Sequence, residues 1–415
     1  MKTPLIAPFV HSSTLPITRR RFIAGASAST LAFTILKPGL ALGTEANSKI
    51  DIGLIGCGNR GKWIAGLFQA HGGYNIAALA DYFPDRAGPA GEQFKVPESR
   101  RFTGLSGYHR LLEQKLDAVV IESPPYFHPE HAAAAIEAGK HVYLAKPIAV
   151  DVPGCLTVAE AGKRASSKKL CFLVDFQTRA HKLYQDAVRR VHEGEIGKIV
   201  SAEANYQCGI TWGHMEEVLA PNPKNPEARL RAWGLSRLLS GDIITEQNIH
   251  AIDVACWMLD AEPVRAYGTG GRCSKTAGDC WDHFAVIFYY PNDHVVSFNS
   301  QQAAFGYDDI LCRVYGLKGT VDTHYFGNVT VKAKEYHSDG SVGNLYTDGV
   351  VTNIATFHQN VTQGECGNET VPTSVRSNLT TILGRMAAYK NTTISWAEML
   401  RAKEKYSPDL MGLKT

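Results

Sequence analysis

Ile50-Asp51-Ile52-Gly53-Leu54-Ile55-Gly56-Cys57-Gly58-Asn59-Arg60-Gly61 is the stretch that decides the fold. The mostly apolar run Ile50–Ile55 reads as a buried strand, and the glycines after it have the G-x-G-x-x-G spacing. Ile64, Leu67 and Phe68 then share one stripe of a helix. A second strand, Asn75–Ala80, ends at Asp81, about twenty residues beyond Gly61, which is the context this spacing needs to bind a dinucleotide. Each position has its own reason. Gly56 permits the tight turn, Gly58 lets a pyrophosphate approach the backbone, and Gly61 lets helix and strand pack closely. The helix start, with Asn59 and Arg60, turns free N–H groups toward the phosphates. Asp81 is placed to bind both ribose hydroxyls, which favours NAD over NADP. The cations Arg60 and Arg86 keep NADP as the alternative.

The rhythm continues outward from that unit. Leu116–Glu122 is a strand running into Ser123-Pro124-Pro125, and an alanine-rich helix over His131–Gly139 follows. His141–Leu144 is a strand ending in Ala145-Lys146-Pro147, and Leu170–Asp175 is the last of the series, before Gln177 and Arg179. Strands alternating with helices through short loops give a parallel, doubly wound sheet. Past about residue 178 the pattern changes to long strands: Ile199–Gln207, Val264–Gly268, His283–Tyr289, Val295–Gln301 and Ile310–Tyr315. One helix, Glu246–Leu259, interrupts them. Consecutive strands with few helices predict a mostly antiparallel sheet. Ser395-Trp396-Ala397-Glu398 is a capping-box helix start. The expected organisation is an address over 1–47, a nucleotide-binding domain over 48–177 and an α+β substrate and oligomerisation domain over 178–415.

Composition narrows the function. The chain has 415 residues, and its 43 Lys+Arg and 40 Asp+Glu leave a net charge of +3. That balance offers no electrostatic footprint for nucleic acid or an acidic membrane surface. The nine cysteines are odd in number and lack framework spacing, so they read as buried thiols; Cys273 and Cys280, flanking a polar loop, are the pair that could close a disulfide. No H-E-x-x-H, paired C-x-x-C, P-loop or G-x-S-x-G is present, and no metal is expected.

At the amino terminus, Thr18-Arg19-Arg20-Arg21-Phe22-Ile23 opens an uncharged run from Ala24 to Leu36, followed by small residues near Gly39–Gly43. Basic, apolar, then small is the order of an export signal, and the paired arginines resemble a twin-arginine signal. The run is short of the ~20 residues of a membrane span. The expected location is periplasmic or extracellular, with no stable span in the mature protein.

Two further segments carry a resemblance. One runs from Ser123-Pro124-Pro125-Tyr126-Phe127-His128 through the alanine-rich helix to Ala138-Gly139-Lys140-His141-Val142-Tyr143-Leu144-Ala145-Lys146-Pro147. The other is Glu246-Gln247-Asn248-Ile249-His250-Ala251-Ile252-Asp253. With the glycine loop they resemble the glucose-fructose oxidoreductase / inositol dehydrogenase / MocA family, from about Lys49 through Glu262 and more loosely to the end. The resemblance implies a Rossmann domain, an open sheet covering the nicotinamide, and NAD(P)-dependent redox chemistry on sugars, glycosides or cyclic polyols. It also implies a homo-oligomer, a dimer or tetramer. Lys146 matches the lysine of the family's Glu-Lys-Pro motif, with Ala145 in place of Glu. Glu246 and His250 match its carboxylate–histidine pair, with Glu where Asp is usual.

The residues themselves support part of this. On one helix at 100° per residue, Glu246, His250 and Asp253 fall within an arc of about 60°, apart from the apolar arc of Ile249, Ile252, Cys256 and Leu259. A histidine with a carboxylate one turn away is a workable general base, and a solvated i,i+4 pair is the plainer alternative. Lys146 sits at a strand's carboxyl end, where open α/β sheets bind ligands, and Ser123 and Pro124 close a neighbouring strand in the same crevice. Gln177 is a candidate for the cofactor, Arg179, Asp253 and Tyr206 for the substrate. Tyr206, Trp212, His214 and Trp233 are candidates for a sugar-facing wall, and Trp257 reads as core. The expected activity is hydride transfer from a carbohydrate hydroxyl to a tightly bound nicotinamide. Two alternatives stand: redox-neutral glycoside cleavage through transient oxidation, and a non-catalytic nucleotide-bound scaffold or sensor.

Overall fold

Ile52 and Leu54 are wholly buried in strand β1 (Ile50–Ile55), which forms the middle of a sheet with helices on both faces. The computed structural model describes residues 49–415 except Tyr307 and Glu335; the expected export signal lies outside the described residues. β1 pairs in parallel with β2 (Tyr74–Asp81) and with β4 (Ala118–Ile121). β3 (Arg101–Thr103) adds one edge, β5 (His141–Ala145) and β6 (Phe172–Asp175) the other, in the order 3-2-1-4-5-6. Two-sided burial is visible within β4. Val119 and Ile121 enter one apolar core and Ala118 and Val120 the other, which is why these strands are continuous apolar runs. Truncating such a residue, Leu54→Ala for instance, costs about 2–5 kcal/mol. Reversal of strand order between β1 and β4 opens a crevice at the carboxyl ends of the strands, over the glycine loop.

The second sheet has nine strands: β7 (Ile199–Gln207), β8 (Arg265–Gly271), β9 (His283–Tyr289), β10 (Val295–Gln301), β11 (Asp309–Gly316), β12 (Gly319–His324), β13 (Asn328–Ala333), β14 (His337–Ser341) and β15 (Ile394–Ser395). Their order is 14-13-12-11-7-10-9-8-15, antiparallel except between β7 and β10. One face packs on the helices, while Tyr267, Ile287 and Tyr315 lie toward the open face. The architecture is the expected one, a parallel doubly wound sheet followed by a mostly antiparallel open sheet.

The Leu345–Gln363 helix packs on the Asn59–His71 helix, and the Thr370–Lys390 helix packs on Val152–Ser167 and β6 as well as β8. The two long helices near the carboxyl end of the chain therefore return to the first sheet. Ser395 caps its helix as expected, accepting from Glu398 N–H while Glu398 reaches back.

One expectation fails in a way that matters for the site. Glu246–Leu259 is not one helix but two, Asp242–Glu246 and Ile249–Leu259. Ile243 O accepts from both Gln247 N–H (2.9 Å) and Asn248 N–H (2.8 Å), so an extra residue enters the turn. The single helix on which the arc of Glu246, His250 and Asp253 was reckoned is therefore interrupted between Glu246 and Ile249.

Candidate active site

The glycine loop is shaped by contacts that exclude side chains. Gly56 has φ +100°, and a Cβ there would lie 2.5 Å from Glu122 C. A Cβ on Gly61 would lie 1.9 Å from Gly56 O. At Gly58 the nearest heavy atom is 3.9 Å away. Gly56 and Gly61 are thus required by packing, whereas Gly58 faces open space where a phosphate can approach. Asp81, at the end of β2, accepts from Cys57 N–H (2.7 Å) on one oxygen and Phe83 N–H (2.8 Å) on the other. Each oxygen keeps a further lone pair, and burial pushes the carboxyl up from its ordinary range. A cavity of about 460 Å³ is lined by this loop, Asp81, Arg86, Ser123 and Pro124. These residues fit a dinucleotide.

Trp212, His214 and Trp233 line the same cavity, facing the glycine loop and Asp81. Lys146 is not among the residues that line this cavity. The flap that carries Trp212, His214 and Trp233 is tied down by Arg231 to Asp85 (2.8 Å) and by Tyr82 Oη to Glu227 (2.9 Å).

Lys146, Glu246 and His250 are nearly buried and lie outside that lining. Lys146 Nζ donates to Glu246 O at 2.6 Å and to Glu246 Oε1 at 3.2 Å. The carbonyl is available because the helix breaks after Glu246. Burial pulls the ammonium down from its ordinary range, Glu246 opposes this, and Arg60 adds to it. Glu246 Oε2 and His250 Nδ1 are buried without a hydrogen-bond partner. Glu246 is thus paired with Lys146 rather than with His250. Burial, then the charges of Lys146 and Arg60, hold the His250 imidazole well below its ordinary range, so it is neutral and able to accept a proton. The Tyr325 ring packs edge-on against it at 5.3 Å.

Arg60 is committed within the protein. Its guanidinium reaches Asp175 (2.8 Å), Glu122 (3.2 Å) and Tyr346 Oη (2.7 Å). Glu122, missed by sequence reading because it closes an apolar strand, has a buried side chain with one oxygen unpartnered. Burial pushes its carboxyl up to about 7, against the pull of Arg60. Gln177 donates to Asp175 (3.1 Å) and accepts from Tyr325 Oη (3.3 Å). Ser123 Oγ meets His131 Nδ1 at 3.0 Å, and His128 spans Ser123 O and Pro147 O, joining two strand-end loops.

The expected substrate residues are engaged with protein partners. Arg179 and Asp253 form a bidentate pair at 2.8–3.2 Å, with the guanidinium over Trp257 at 5.1 Å. Tyr206 Oη donates to Gln247 (2.7 Å).

Two buried residues of the Thr370–Lys390 helix hold the loops in place. Arg385 donates to Val150 O (2.7 Å) and Gly241 O (2.6 Å). Asn378 accepts from Ile148 N–H (3.0 Å) and donates to Ala149 O (3.1 Å). They join the loop after Lys146 to the turn that opens the Glu246 helix. Local pattern holds no signal for them, since they lie 144 to 235 residues from these partners.

The family described as "Oxidoreductase family, NAD-binding Rossmann fold" matches residues 50–175, and the GFO/IDH/MocA C-terminal domain matches 184–322. Inositol 2-dehydrogenase 3 of Saccharopolyspora erythraea is 31% identical over 278 residues, covering 66% of this chain and 72% of that protein. The chain belongs to the Gfo/Idh/MocA oxidoreductase family. Another relative within it, inositol 2-dehydrogenase of Acidothermus cellulolyticus, is 28% identical over 66% of this chain and 72% of its own length. Levoglucosan dehydrogenase in complex with NADH and levoglucosan shares the fold, with a TM-score of 0.68 at 18% identity over 84% of this chain and 99% of that one. Aldose-aldose oxidoreductase of Caulobacter crescentus does so at 0.65 and 19%, with the same coverage. The Gfo/Idh/MocA chain described here is thus an NAD-binding oxidoreductase. Among its described residues no helix is long and apolar enough to cross a membrane.

Proposed function

We propose that the protein oxidises a hydroxyl of a sugar, glycoside or cyclic polyol, with NAD held tightly in the crevice. The observation that carries this reading is a buried amine donor, Lys146, held by Glu246, together with a buried imidazole, His250, whose Nδ1 has no protein partner. The names of the relatives support the substrate class. Bound nicotinamide supplies the hydride acceptor. His250 takes the hydroxyl proton as the C–H bond breaks. Lys146 donates to the carbinol oxygen and stabilises the charge that develops there. Glu246 holds Lys146 in place, and Glu122, Asp175 and Arg60 set the charge around it. Asp81 binds the ribose, with NAD preferred over NADP. Export through the twin-arginine route, with the cofactor already bound, and assembly into a homo-oligomer through the open sheet face belong to the same reading.

The test is to denature the purified protein, identify any released nucleotide by mass, and screen the holoenzyme with sugars, inositols and their keto forms. Released NAD with turnover on one of these classes is expected. Protein that carries no nucleotide overturns tight binding, and absence of turnover across the panel with added NAD overturns the activity.

A further inference from the structure

β6 is an edge strand, and the connection between the two long C-terminal helices runs along it. Side chains of that connection satisfy the strand's backbone. Phe172 N–H donates to Asn368 Oδ1 (2.6 Å) and Val174 N–H to Thr370 Oγ1 (3.1 Å), while Asn368 Nδ2 donates to Leu170 O (2.9 Å) and Ser166 Oγ (3.0 Å). This zipper fixes the connection against the strand and brings Cys171 and Cys366 together. The Cys171 thiol donates to Glu365 O (3.8 Å) and the Cys366 thiol to Lys169 O (3.3 Å). Each sulfur thus rests on the backbone of the segment that bears the other. Both Sγ atoms and a ring nitrogen of His141 lie within 4.8 Å of one another.

We propose that Cys171 and Cys366 are a dithiol site that closes to a disulfide, stapling the start of β6 to the connection between the Leu345–Gln363 and Thr370–Lys390 helices. A bond needs sulfurs at about 2.05 Å and a permitted dihedral angle, and the zipper already supplies the approach of the two backbones. The trio could also suggest a soft metal ion. However, His141 Nδ1 accepts from Cys171 N–H at 2.8 Å. Its proton therefore sits on Nε2, and the ring has no spare lone pair to offer a metal.

The oxidant is a small-molecule disulfide such as oxidised glutathione. Cys366 is the partly exposed thiol, and Cys171 is buried, with burial and its neighbour pushing its thiol up. Cys366 therefore reacts first. Its thiolate attacks one sulfur of the reagent, the reagent's S–S bond breaks, and the departing thiolate takes up the proton that Cys366 gave to water. The Cys171 sulfur, giving its proton to solvent, then attacks the Cys366 sulfur and expels the second thiolate, which is protonated in turn. Two protein thiols are oxidised and one disulfide is reduced to two thiols. The consequence reaches the cofactor loop. The Leu345–Gln363 helix presents Tyr346 to Arg60 and Asn353 to Asp175 (2.8 Å), and the staple anchors its far end.

The test treats the full chain with oxidised glutathione or with a phosphine reductant, then alkylates, digests and maps it by mass. The oxidised sample is expected to yield a linked Cys171–Cys366 peptide pair, an intact mass lower by two hydrogens, and two fewer reactive thiols after denaturation. Reductant should reverse all three. Cys366→Ser should abolish the linked pair, and Cys273→Ser should leave it unchanged. Unchanged thiol content after oxidation, a glutathione adduct that persists on Cys366, or equimolar zinc co-purifying with both thiols protected would each overturn the proposal. The mapping is done on the unaltered chain, so a misfolded variant does not blunt it.

Discussion

Lys146 meets Glu246 twice, through the backbone carbonyl at 2.6 Å and the carboxylate at 3.2 Å. The first contact is open to the lysine because the helix is interrupted after Glu246 and His250 N–H bonds to Gln247 O instead of Glu246 O.

Replacing that lysine should separate chemistry from binding. Lys146→Met is expected to lower kcat by about 10²–10³, the loss typical of one donor to a developing oxyanion. NADH affinity should stay close to that of the parent. Steady-state kinetics with fluorescence titration of NADH reads both. Loss of nucleotide binding with kcat retained would contradict the assigned role.

His250 sets the acid side of the pH profile. Burial and two nearby cations hold its imidazole well below the ordinary range, so the neutral base should persist below the ordinary value of about 6.5. The acid limb of kcat/KM is expected below that value. His250→Gln should remove the limb and lower kcat by about 10²–10⁴. An acid limb unchanged in the variant would assign the proton transfer elsewhere.

Glu122 gives a linkage test. Its folded value of about 7 lies above the ordinary 4.5, so the folded state binds the extra proton. The stabilising effect is full below the unfolded value and is lost as pH rises through the folded one. Relative to Glu122→Gln, the parent should therefore gain stability as pH falls from about 7 to 4.5, by up to ~1.4 kcal/mol per pH unit. Urea melts of both proteins across that range measure it. A difference that is flat with pH would show that the carboxyl is not perturbed.

The glycines should divide by mechanism. Gly61→Ala meets Gly56 O at 1.9 Å, so it is expected to lower Tm and abolish NADH binding together. Gly58→Ala has open space and should leave Tm near the parent's while weakening NADH binding, because its methyl enters the phosphate's approach. Thermal melts and NADH titration distinguish the two.

Local signals carried much of this protein. The β1–glycine loop–Asp81 unit was legible because strand, turn and helix start are contiguous in the chain. Lys146 and Ser123 were legible for the same reason, since a strand's carboxyl end can be read from where its apolar run stops. Short or polar elements were not: β3 spans three residues, and β14, His-Ser-Asp-Gly-Ser, has no apolar residue to mark it.

The sequence by itself determined the two sheets, the cofactor loop and the acid that follows it, because hydrophobic period and glycine placement act over a few residues. Tertiary structure alone decided the partners. Glu246 pairs with Lys146 across 100 residues, through a carbonyl that the helix break leaves open. Arg60 was taken by Glu122, Asp175 and Tyr346, and Arg179 by Asp253, because a partly buried guanidinium is stabilised by anionic company. Those pairings span up to 286 residues. No local pattern encodes which charge will be brought within 3 Å of which.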